Sequence, residues 1–132
     1  MESSPENVKQ LIFFLVDKSG SMSSFFDDSS SRYDASMKLI SNFVRKSEEI
    51  GVRSQFGSIL FNNTLEVRNE LTSNCDEFLQ NLIIEADKPF GGTALFHAIE
   101  KAANLLIKAN ENNKYPNAVL RIIVFSDGLD VY

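Results

Sequence analysis

The feature that most constrains this chain is the run Leu11-Ile12-Phe13-Phe14-Leu15-Val16, which contains no polar side chain and is closed by Asp17. A strand with one face in water alternates apolar and polar residues, because successive side chains point to opposite faces. A run without alternation predicts a strand covered on both faces, and such strands lie at the centre of parallel sheets flanked by crossover helices. It is too short to span a bilayer, which takes about 20 apolar residues in a helix.

The rest of the chain supplies the partners of that strand. Residues 19–31 are dense in Ser, Asp and Gly and read as a loop. From Tyr33 the period changes: Leu39, Ile40, Phe43, Val44 and Ile50 recur at helical spacing, and Gly51 provides a stop. Phe56, Ile59, Leu60 and Phe61 predict a second strand, followed across Asn62 and Asn63 by a third with Leu65, Val67 and Leu71, so the pair reads as a hairpin. Asn62-Asn63-Thr64 also fits a glycosylation sequon, but asparagines suit tight turns and the turn is the simpler reading. Asn74, with Glu77 three residues on, resembles a capping box opening a short helix through Phe78, Leu79, Leu82 and Ile83. Pro89-Phe90-Gly91-Gly92 breaks the chain. Thr93 begins a helix expected to bury Leu95, Phe96, Ile99, Ala102, Ala103 and Leu106 along one face, and residues 119–125 form a further strand. The alternation of strand and helix predicts one α/β domain over residues 1–132, behind a polar tail at residues 1–9. Its open sheet is mostly parallel, with one antiparallel edge strand from the hairpin and helices on both faces.

Composition narrows the classes of partner. With 18 acidic against 13 basic side chains the formal charge is −5, so phosphate backbones feel no general attraction and nucleic acid is not expected. The lone Cys75 cannot form an internal disulfide, and residues 1–10 lack the apolar stretch of a signal peptide. These features set the expectation of an intracellular, cytoplasmic protein without a membrane span.

Three short motifs carry chemistry, each at the carboxyl end of a strand or the start of a helix. They are Asp17-Lys18-Ser19-Gly20-Ser21, Gly91-Gly92-Thr93, and Asp127-Gly128. In open α/β sheets ligands bind beyond the carboxyl ends of the strands. The motifs together supply carboxylates and hydroxyls with no His or Cys, an oxygen-only set that suits a hard divalent cation such as Mg²⁺ better than zinc. Each piece also has a plain structural reading, since Asp and Ser satisfy turns and Thr caps helices. His97 lies one helical turn after Thr93, but no nucleophile elbow accompanies it, and it reads as a surface or boundary residue, as Lys18 reads as solvated. Phe25 and Phe26 stand in the polar loop, where they either cover its base or form an apolar rim beside the cation.

Taken in order, Asp17-Lys18-Ser19-Gly20-Ser21-Met22, Gly91-Gly92-Thr93-Ala94-Leu95 and Phe125-Ser126-Asp127-Gly128 resemble the von Willebrand factor type A domain and its metal-ion-dependent adhesion site. The resemblance implies a Rossmann-like sheet in which Ser19, Ser21 and Thr93 bind Mg²⁺ (or Mn²⁺) directly, with Asp17 and Asp127 acting directly or through water. It also implies a non-enzymatic interaction module whose partner protein completes the shell with an Asp or Glu. The family sheet ordinarily has six strands and this chain supplies the first four, so the domain is expected to be incomplete and the strand at 119–125 to be an edge prone to self-association. Two alternatives stand beside this reading: a metal-independent scaffold within a larger assembly, and a Mg²⁺-dependent phosphohydrolase using Asp17. The second would need an Asp two residues on, where Ser19 stands.

Overall fold

Every residue of β1 (Gln10–Asp17) is buried, as its uninterrupted apolar run requires. In the computed structural model, which describes residues 4–18, 32–62, 64–84 and 94–126, β1 lies between β2 (Ser54–Phe61) and β4 (Val119–Phe125) and runs parallel to both. β2 pairs antiparallel with β3 (Leu65–Thr72), giving the order β3-β2-β1-β4. This is the mixed, mostly parallel sheet that the sequence predicts, with the hairpin strand at one edge.

Alternation along β1 divides the core into two layers. Ile12, Phe14 and Val16 face α1 (Arg32–Glu49) and α2 (Cys75–Ile84), whereas Leu11, Phe13 and Leu15 face α3 (Leu95–Ala109). The α1 stripe is Tyr33, Ser36, Ile40, Val44 and Ser47, while Leu39 and Ile50 are exposed. Leu39 sits about 100° around the helix from Ile40, and Ile50 lies past the last helical residue. The expected α3 face needs a similar correction. Ala98, Ala102 and Leu106 form the buried stripe, and Phe96 is 62% exposed because it lies about 200° from Ala98.

The boundaries follow local chemistry. Gly51 adopts φ +81°, and the bonds Val52 N–H to Ser47 O (3.0 Å) and Gly51 N–H to Glu48 O (3.2 Å) close α1 in a Schellman motif. At the hairpin, Asn62 Oδ1 accepts from both the N–H and the hydroxyl of Thr64, each at 3.0 Å, the side-chain role expected of a turn asparagine. Asn74 Oδ1 caps α2 by accepting the Glu77 N–H at 3.0 Å, and the Asn74 N–H donates to Thr72 Oγ1. The buried Asn69 was not singled out in the sequence. Its amide donates to Ser58 Oγ and the Phe78 carbonyl and accepts from Asn81 Nδ2, joining β2, β3 and α2.

Gly57 of β2 lies beside Phe13 of β1, and a Cβ built there would stand 2.6 Å from the Phe13 ring. Ring and methyl cannot share that space, and neither strand can retreat without breaking the central ladder. Gly57→Ala is therefore expected to destabilise by about 1–3 kcal/mol through overpacking, read as a lower urea midpoint at unchanged m. An unchanged midpoint would show that Phe13 has another place to go.

Candidate metal site at the carboxyl edge of the sheet

Because β1, β2 and β4 are parallel, their carboxyl ends meet at one edge: Asp17 lies beside Phe61, and Val16 beside Phe125. α3 begins at the same edge. Its last turn, with Lys108 and Ala109, shares a cavity with Gln55 near the start of β2, which places the N-terminus of α3 at the opposite end, beside the strand termini.

Asp17 is completely buried, although it ends its strand. Its Oδ2 accepts a hydrogen bond from Ser126 Oγ at 2.8 Å, across the ends of β1 and β4. The adjacent Lys18 N–H donates to the Phe61 carbonyl at 2.5 Å, so the tip of β1 is fastened to both neighbouring strands. Burying a carboxylate is costly unless hydrogen bonds or a cation compensate it. A buried carboxylate that accepts from a hydroxyl at the carboxyl edge of the sheet is an oxygen donor of the type that hard divalent cations take.

Of the site residues predicted from sequence, Asp17 is placed directly. Ser19, Ser21, Thr93 and Asp127 lie outside the described residues, as do Phe25 and Phe26. Lys18, Ala94 and Ser126, the covalent neighbours of Ser19, Thr93 and Asp127, are described. Lys18 departs from expectation: it is 8% exposed rather than solvated. The reason is its position one residue past a central strand, held against β2. The N-cap of α3 is Ala94, which makes no side-chain cap bond, so the helix starts at Leu95 rather than Thr93. Sequence reasoning missed the part played by Ser126, although a hydroxyl directly before Asp127 at the end of the strand beside β1 was the signal for it. Among the described residues no three His, Cys, Asp or Glu side chains converge on a common point.

His97 is exposed on α3, as expected of a surface residue. Cys75 is half-buried at the first turn of α2. Burial raises its thiol pKa above the ordinary 9.0, with the nearby Glu48 charge acting the same way. The thiol therefore stays protonated and has the character of a packing residue.

Residues 12–129 match the family model of the von Willebrand factor type A domain, and the chain belongs to that family. Among solved structures it is similar to the SpRpn10 VWA domain, with a TM-score of 0.76 and 21% identity over 95% of this chain and 63% of that one. It is also similar to proximal thread matrix protein 1 from the mussel byssus, with a TM-score of 0.74 and 20% identity over 95% of this chain and 32% of that one. The N-terminal domains of the pili tip protein Mfa5 from Porphyromonas gingivalis give a TM-score of 0.70 and 21% identity over 93% and 20% of the two chains. At these identities the likeness is one of fold, and the chain spans less than two thirds of each of these structures. No curated protein matches it.

Proposed function

We propose that this chain is a non-enzymatic protein-interaction module that captures an Asp or Glu of a partner through Mg²⁺ or Mn²⁺. Asp17, Ser19, Ser21, Thr93 and Asp127 are the residues that would hold the ion. The observation carrying the proposal is the buried Asp17 carboxylate, hydrogen-bonded to the residue that precedes Asp127. That bond links two of the three motifs and fits an oxygen-only donor set. When bound there, the ion supplies an open position for a carboxylate from outside, since a site with few protein charges leaves it electrophilic. The protein's own part is positional: β1 and β4 fix the spacing of Asp17 and Ser126, and Ser126 orients the buried carboxylate. Phe25 and Phe26 are assigned to an apolar rim that grips the partner beside the ion. No helix among the described residues is long and apolar enough to cross a membrane; a cytoplasmic site of action belongs to the same proposal.

Thr93→Ala tests the mechanism, because α3 already has Ala94 at its N-cap. Losing a cap costs about 1 kcal/mol of stability, so a purely capping role predicts a lower Tm and intact capture. The expected result is instead a fall in capture of an acidic partner by more than about tenfold, ~1.4 kcal/mol, with little change in Tm and an equal loss in EDTA. Capture unchanged in both Thr93→Ala and EDTA would make the domain a metal-independent scaffold. Turnover of a generic phosphomonoester, abolished by Asp17→Asn, would make it a phosphohydrolase.

A further inference from the structure

Lys18 directly follows Asp17 and is only 8% exposed. Lysine is almost never buried to this degree without a partner. Among the described residues the ion pairs are made by Arg45, Lys46 and Arg68, and Lys18 takes part in none. Its backbone is fixed, because the N–H donates to the Phe61 carbonyl. A stem held in the protein with the ammonium kept at the surface is how a lysine meets both demands, and among the described residues no unpartnered lysine nitrogen is sealed from water.

Packing alone does not account for a lysine at this position. A methionine has a similar unbranched stem and no charge to desolvate. What the lysine adds is one positive charge within about 10 Å of the Asp17 carboxylate, since adjacent Cα atoms are about 3.8 Å apart.

Counting charge over the proposed donor set shows what that addition does. Asp17, Asp127 and Lys18 together carry −1, which attracts a cation. A divalent ion brings the site to +1, and one carboxylate from outside returns it to zero. Without Lys18 the loaded site would already be neutral and would exert no net attraction on an anion. We propose that Lys18 makes the loaded site select a partner carboxylate, and that the same charge weakens the hold on the ion while no partner is present. This inference rests on the reading of the site given under Proposed function and deepens it. By linkage the two effects are one coupling, since whatever the carboxylate does for the affinity of the ion, the ion does for that of the carboxylate. A single carboxylate balances the site, whereas a phosphate dianion overshoots it and an amide leaves it positive.

The test uses the 132-residue chain at low salt, with Mn²⁺ as the ion, N-acetyl-glutamate amide as the carboxylate and N-acetyl-glutamine amide as its uncharged control. Removing one charge about 10 Å away in water changes affinity roughly fourfold for a dication and twofold for a single carboxylate, and more in a drier site. Lys18→Met is therefore expected to bind Mn²⁺ at least about fourfold more tightly than the unmodified chain by calorimetry, and, once loaded, to capture the glutamate compound at least about twofold more weakly. Lys18→Arg keeps the charge and is expected to match the unmodified chain in both. A residue that only packs would weaken both affinities or neither, so the opposed signs carry the assignment. Mn²⁺ affinity equal or lower in Lys18→Met, unchanged capture of the glutamate compound, or a Lys18→Arg that behaves as Lys18→Met overturns the inference and leaves the cation site standing. Equal capture of the glutamine compound by the unmodified chain also overturns it, since charge is then not what is recognised. No Mn²⁺ binding by the unmodified chain overturns the cation site and the inference with it. If Lys18→Met does not unfold cooperatively, Lys18→Gln is measured in its place and the same two signs decide.

Discussion

Phe14→Ala is expected to cost about 4 kcal/mol, a large share of the 5–15 kcal/mol that holds a domain of this size folded. Phe14 is fully buried in the middle strand. Its ring lies 5.7 Å from Phe43, 5.9 Å from both Phe56 and Phe78, and 6.3 Å from Phe125. Those four rings come from α1, β2, α2 and β4, so one side chain is the common neighbour of most of that layer. Truncation removes its transfer free energy and leaves a cavity that cannot collapse, because two of the neighbours are fixed in the ladder on either side. Phe96→Ala is the matched control: the same atoms are deleted from a helical position that is 62% exposed, and the expected change is well below that of Phe14→Ala. Urea denaturation of both variants checks the pair, and equal midpoints would refute the assignment of Phe14 as the centre of the layer. Contact between Phe14 and Phe125 carries the effect toward Ser126, so Phe14→Ala is also expected to loosen the end of β4 that orients Asp17.

Much of this architecture was legible because it rests on patterns that local chemistry enforces. The unbroken run at 11–16 could only be a covered strand, Gly51 could only end its helix with φ positive, and Asn62 suited the turn it makes. The errors share one cause. Leu39 and Phe96 are apolar residues on helical spacing, and hydrophobicity alone does not say which stripe of a helix meets the sheet; Ile50 continues that spacing past the point where Gly51 ends the helix. On α3 the answer lies with small residues: Ala98 and Ala102 are fully buried with Leu106; Leu95, Ile99 and Leu105 flank them against the core, and Phe96 and Ile107 are left outside. Lys18 was misread for a related reason, since a charged residue in a motif suggests solvent whereas the adjacent β2 carbonyl fixes its backbone. The Asn69 network was illegible because its members come from β2, β3 and α2, and only the fold brings them together. At the candidate site, motif order indicated where to look, and the geometry added what order cannot carry, namely that Asp17 is wholly buried and that Ser126 holds it.

Asp17→Ala is expected to abolish Mg²⁺ and Mn²⁺ binding, and to do so more completely than Ser21→Ala. The proposed donor set has two carboxylates, Asp17 and Asp127, so removing one deletes about half the negative charge that neutralises a divalent ion. A hydroxyl such as that of Ser21 contributes one neutral oxygen, which water can replace. Charge and geometry separate further through Asp17→Asn, which keeps an oxygen able to accept the Ser126 hydrogen bond but carries no charge. If the carboxylate serves only to fasten β1 to β4, Asn restores what Ala loses. If it neutralises an ion, Asn fails as Ala does, and Ser126→Ala, which leaves the charge and frees its orientation, has an intermediate effect. Two measurements read the difference. Calorimetry with Mn²⁺ is expected to give binding for the unmodified chain and none for Asp17→Ala or Asp17→Asn. Thermal unfolding is expected to show Mg²⁺ stabilising the unmodified chain by about 2.7 kcal/mol at a hundredfold excess over Kd, while the Tm of Asp17→Asn does not move. Equal Mn²⁺ affinities for the unmodified chain and Asp17→Ala would remove the ion from this site and leave the buried carboxylate a structural link between two strands.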